Sequence, residues 1–167
     1  MITVVGPGGL AAPVLTALEE RLVSPLAEFA RTGSAVLVRA GHGLPLAAGR
    51  AARRAGLRLV TVLPSKNGVP AQLRESDRIA AGELLLLSEQ VHLLDYDPAR
   101  RDSCIRAEEH LLGTCTRVLA VWDGSPTNSQ DATAHLVAFA RSHGLDVDVL
   151  PPPGTRGHPA APCREPS

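Results

Sequence analysis

An aspartate at the end of a strand, followed by glycine and then hydroxyl side chains that lead into a helix, can seat a sugar hydroxyl on the carboxylate and a phosphate at the helix amino terminus. The chain carries this arrangement once, from the apolar residues 118–122 into Asp123-Gly124 and on through Ser129 to Thr133-Ala134. Asn128, Ser129 and Asp131 are also the residue types that cap helices, so capping is an equally sound reading of that loop. A second candidate is Gly6-Pro7-Gly8-Gly9, two positions before Ala11. Its glycines would let backbone amides approach a phosphate, although glycine serves plain turns as well. A third is His42 between Gly41 and Gly43; imidazole is the side chain suited to moving protons near neutral pH. The fourth is Glu108-Glu109-His110 on a helical stretch. Adjacent helical residues face different directions, so at most one glutamate looks into a cleft, with a solvated face as the other reading.

Other chemistries lack their residues. A nicotinamide-dinucleotide site wants an acid about 20 positions after its glycine loop, but the second apolar run ends Val38-Arg39-Ala40. No G-x-S-x-G elbow is present, which removes the usual acyl-hydrolase signature. Cys104, Cys115 and Cys163 form no C-x-x-C pair and no zinc spacing with histidine, so neither a metal nor any other cofactor is expected. Seventeen basic against seventeen acidic residues give no net charge, and aromatic residues are scarce, which speaks against a nucleic-acid partner. Arg50, Arg53 and Arg54 form a basic stripe read as a solvated face.

These residues need a scaffold, and the pattern supplies one. Short β-rich runs at 2–5, 35–38, 57–63, 91–94, 117–122 and 147–150 alternate with helical stretches at 11–31, 44–55, 76–87, 101–112 and 132–143. Gly33, Gly56, Gly113 and Gly144 follow helical runs, where positive φ ends a helix cheaply. Strict alternation predicts one α/β domain, a doubly wound, mostly parallel Rossmann-like sheet of about six strands with helices on both faces. In such sheets ligands bind beyond the carboxyl ends of the strands, which is where residues 6–9, 41–43, 64–67, 95 and 123–125 fall.

No stretch approaches the roughly 20 apolar residues of a membrane span, and the first residues do not resemble an export signal, so a cytoplasmic protein without a membrane partner is expected. The domain is expected over residues 1–156, with a proline-rich disordered tail at 157–167. An Ala- and Leu-rich helix around residues 83–87 is the expected contact of a homodimer.

Taken together, Gly-Pro-Gly-Gly after the first strand, Gly41-His42-Gly43 after the second, Val62-Leu63-Pro64, residues 118–124, Thr133-Ala134 and Pro152-x-Gly154-x-Arg156 resemble the SLOG superfamily. That superfamily includes the Lonely Guy (LOG) phosphoribohydrolases and the DNA-processing protein DprA, and the likeness is to a divergent member of actinobacterial type. It implies a Rossmann-like domain that binds a nucleotide or sugar-phosphate ligand, with LOG-like cleavage of an N-glycosidic bond or a non-catalytic sensing role as alternatives. Gly6, Gly8, Gly9, Gly41, Gly43, Gly124, Ser129, Thr133 and Arg156 would then bind the ligand, and Asp123, Glu109 and His42 would be the candidate catalytic groups. The chain departs from the LOG motif Pro-Gly-Gly-x-Gly-Thr-x-x-Glu: Gln130, Asp131 and Ala132 stand around Thr133 where glycines are usual, and Leu136 replaces the glutamate. Asp131 sets a carboxylate where phosphate would sit, which repels an anion at close range unless it points away.

Overall fold

Branched aliphatic residues concentrate in short runs that favour extended backbone, and the longer amphipathic runs between them favour helices. A computed structural model describes residues 1–154 and arranges these runs as β1 (Ile2–Val5), α1 (Ala12–Ala30), β2 (Ala35–Arg39), α2 (Leu44–Arg54), β3 (Arg58–Lys66), β4 (Val69–Pro70), α3 (Glu75–Leu87), β5 (Gln90–Asp95), α4 (Arg101–Gly113), β6 (Arg117–Val121), α5 (Thr133–Ser142) and β7 (Asp146–Leu150). Arg156 and the expected tail lie outside the described residues.

One sheet holds seven strands, in the path β4-β3-β2-β1-β6-β7 with β5 also paired to β3. The expected parallel α/β sheet is therefore present, with one strand more than anticipated. Residues 64–66, read from sequence as a loop, continue β3, and β4 returns antiparallel with Ser65 opposite Pro70 and Lys66 opposite Val69. The tight return rests on Asn67 at φ 54° and Gly68 at φ 78°, the left-handed pair that a two-residue hairpin requires. Ser65 also pairs with Asp95 of β5, so β4 and β5 flank β3 on opposite sides. A further correction concerns Gly113, which is the last residue of α4 rather than a positive-φ stop; Thr114 caps that helix.

Alternating side chains send two cores to the two faces of the sheet. On one face Leu18, Leu22 and Leu26 of α1 pack with Val36, Val38, Leu59 and Leu84. On the other, Leu112 of α4 and Leu136, Val137 and Ala140 of α5 meet Val5, Val118 and Ala120. The chain builds from β1 toward β5 on one side and then places β6 on the other side of β1. The reversal of strand order thus falls between β1 and β6, where an open α/β sheet leaves a crevice at its carboxyl edge. No helix among the described residues is long and apolar enough to cross a membrane. Of the expected dimer contact, Leu84 is buried and Glu83 is bound to Arg50 of the same chain, while Leu86 is 89% exposed.

Candidate functional site

Arg39 closes β2, and the pleat turns its side chain from the sheet edge toward α4. Its Nε donates to Glu108 Oε1 at 2.9 Å, and both side chains are largely covered. Burial opposes the guanidinium charge, yet Glu108 and the neighbouring Tyr96 and Cys104 hold Arg39 protonated more firmly than usual. Gly6, Pro7, Gly8, Leu44, Arg39 and Glu108 wall a cleft of about 120 Å³ over the carboxyl ends of β1 and β2. That volume suits one polar group of a ligand, not a whole nucleotide.

Gly6 is a glycine because the helices and strands meet there: a Cβ at this position would lie 2.5 Å from Leu44 Cδ2 and 2.9 Å from Val121 Cβ. Gly9 and Gly43 adopt φ of 70° and 76°, which side chains disfavour. Neither α1 nor α2 has a side-chain cap, and each has proline within its first two positions. The first amides of both helices thus remain without side-chain acceptors, and α2 brings its start to the cleft through Leu44.

His42 stands at the rim. Its ring Nδ1 and its amide both meet Asp77 Oδ1, at 2.5 Å and 3.0 Å. Burial pushes the Asp77 carboxyl up, but the two bonds from His42 and the charges of His42 and Arg39 outweigh it and hold it below the usual carboxylate range. Arg39 therefore electrically couples the Glu108 pair to the His42–Asp77 pair. Asp77 had no signal in the sequence beyond lying in the first turn of a helix, because its partner is 35 residues away.

The other predicted residues sit elsewhere. Of the two adjacent glutamates, Glu108 faces the cleft; Glu109 points to the outer flank where α4 meets α5 and bonds His135 Nε2 at 2.6 Å. The roughly 100° step between helical neighbours makes that choice unavoidable. Asp123 is turned onto its own loop, accepting from the amide of Ser125 at 2.9 Å and from its hydroxyl, and these bonds keep its carboxyl low. Gly124 takes φ 90° in that turn, and Ser129 is exposed beyond it.

At the start of α5, Asp131 accepts from both the amide and the hydroxyl of Thr133, which is 1% exposed. Thr127 Oγ1 takes the amide of His135, and Asn128 Oδ1 takes those of Gln130 and Asp131. The carboxylate expected to repel phosphate is thus held by the amide and hydroxyl of Thr133. Donors that a ligand would use at Thr133 are spent within the chain. Cations of the basic stripe are likewise paired, Arg50 with Glu83, Arg53 with Glu89 and Arg54 with Glu20.

No protein-family model and no curated protein matches the chain. Among solved structures, it is similar to the molybdenum cofactor carrier protein of Chlamydomonas reinhardtii, at 22% identity and TM-score 0.55 over 91% of this chain and 77% of that one. DprA from Streptococcus pneumoniae matches at 17% identity and TM-score 0.62, over 93% of this chain but only 52% of that one. DprA from Helicobacter pylori, described for its single-stranded DNA binding mode, matches at 11% identity and TM-score 0.59 over 90% of this chain and 64% of that one. At these identities the likeness is one of fold.

Proposed function

We propose that this chain is a SLOG-type protein that seats one polar group of a nucleotide or nucleoside phosphate in the cleft at the carboxyl edge of its sheet, with the rest of the ligand across the open edge, and cleaves the N-glycosidic bond. The observation that carries this reading is the Arg39–Glu108 pair at the floor of a glycine-walled cleft, beside the His42–Asp77 pair. Arg39 holds Glu108 in place, and the open amides at the start of α2 suit an anionic group. Glu108 supplies negative charge where an oxocarbenium ion would develop at the anomeric carbon. His42, oriented by Asp77, would give a proton to the departing base, and as water adds to the anomeric carbon the proton that water loses returns to the imidazole. The products would be free base and sugar phosphate. The fold shared with a carrier of the molybdenum cofactor supports small-ligand binding in general.

A second reading, a non-catalytic binding module, is favoured by one specific observation. Asp123 and Thr133 are consumed by their own loops instead of facing the cleft. A panel of nucleoside monophosphates separates the two, with chromatography for released base, thermal shift, and fluorescence of Trp122, whose indole nitrogen bonds Ser125 in the loop after β6. The catalytic reading expects base release that falls about 100-fold or more in Glu108→Gln and is unchanged in Glu109→Gln. A thermal shift without release would establish the binding module, and no response to any nucleotide would overturn both. The single-stranded DNA binding described for DprA of Helicobacter pylori sets a further arm: affinity for single-stranded DNA falling steeply with salt would redirect the assignment.

A further inference from the structure

A larger cavity, about 600 Å³, opens above the carboxyl ends of β3 and β5, on the far side of Arg39 and Tyr96 from the cleft. The β3–β4 hairpin forms one wall, so the cavity exists because β3 outruns β2 and folds back. Its lining includes Ser65, Lys66, Arg74, Asp95 and Tyr96.

Two features mark it as more than a gap between loops. The side chains of Lys66, the chain's one lysine, of Arg74 and of Asp95 make no hydrogen bond or ion pair within the described residues, whereas those of Arg39, Arg50, Arg53, Arg54, Arg106 and Arg117 are all paired. Buried hydroxyls there also lack partners. Ser65 is 4% exposed and its side chain makes no hydrogen bond, and the phenolic oxygen of Tyr96, 6% exposed, has no aligned hydrogen-bond partner although the Arg39 guanidinium lies beside it. Buried polar groups are almost always satisfied, and each exception costs stability that needs a reason.

We propose that this cavity is a second binding site, for a sugar phosphate. Lys66 and Arg74 present two uncommitted cations to the phosphate, and Asp95 is an acceptor for sugar hydroxyls. Ser65 provides a neutral hydroxyl that a polyhydroxylated molecule can satisfy. A nucleobase is a poorer match because Tyr96 is the cavity's one aromatic residue and is itself buried. The volume exceeds that of the cleft fivefold and lies within the range of small-molecule sites. This site is independent of the chemistry assigned to the cleft and stands even if the cleft releases no base.

Titration calorimetry and thermal shift with ribose 5-phosphate, glucose 6-phosphate and inorganic phosphate test it on the full chain. At least one sugar phosphate is expected to bind saturably, with affinity falling about tenfold or more in Lys66→Met and Arg74→Met, since each removes a charge-assisted contact. Glu108→Gln, which alters the cleft while keeping Arg39 over the Tyr96 ring, should leave that binding intact. Ser65→Ala should weaken binding without lowering the melting temperature of the free protein, a combination that a purely structural serine would not produce. Binding lost in Glu108→Gln but retained in the Lys66 and Arg74 variants would return the ligand to the cleft and overturn the proposal. Inorganic phosphate binding as tightly as both sugars, or no binding of either sugar, would also overturn it.

Discussion

At the scale of the residue, the candidate site is decided by which polar side chains keep partners and which do not. Asp77 has two donors from His42 and a nearby guanidinium, and its carboxyl lies below the unfolded value despite partial burial. The folded state therefore holds this proton less readily than the unfolded chain. The stabilisation is complete above the unfolded pKa and is lost as pH falls through the folded one. Asp77→Asn should shallow the acid limb of the stability profile, measured by circular dichroism across an acid titration, with the difference from the parent vanishing at the lowest pH. Asp131 is a separate case, a carboxylate used as an internal ligand for Thr133. Asp131→Ala should cost about 1 kcal/mol in urea unfolding, the usual value of a lost helix-start acceptor.

At the scale of the element, the loop after β1 combines packing and openness. Gly6 has no room for a side chain against α2 and β6, whereas a Cβ on Gly8 would meet nothing within 4 Å. Gly6→Ala should therefore destabilise the domain by about 1–3 kcal/mol through overpacking, and Gly8→Ala should change stability little. Urea midpoints of the two variants give the comparison. Because Leu44 begins α2 and lines the cleft, Gly6→Ala is also expected to disturb ligand binding at that helix terminus. The β3–β4 hairpin is the other element with consequences, since a two-residue return creates the wall of the larger cavity.

At the scale of the whole molecule, one sheet serves two cores. Leu22 of α1 and Leu112 of α4 are fully buried on opposite faces, in separate clusters that share the strands between them. Leu22→Ala and Leu112→Ala should each cost about 2–5 kcal/mol. Because the sheet couples the faces, both variants should still unfold in one transition, with far-ultraviolet dichroism and Trp122 fluorescence coinciding. Two transitions would mean that one layer melts by itself.

The alternation of apolar runs, with helical stretches ending near glycine, was enough to determine the parallel α/β architecture, the limits of the five helices to within a residue or two, and the edge on which loops of chemical interest gather. Those are local properties, set by periodicity and backbone preference. Tertiary structure alone decided which loops can receive a ligand. The stretch that looked most suited to phosphate, residues 123–133, closes on itself because Asp123 and Asp131 reach donors two residues away. Glu108 prevails over Glu109 because helix phase relative to β2 sets which carboxylate Arg39 can reach, and Asp77 reaches His42 only because α2 and α3 pack together. Hydrogen bonds between residues 35 and 69 positions apart carry no trace in a linear pattern, since their cause is the way the layers stack.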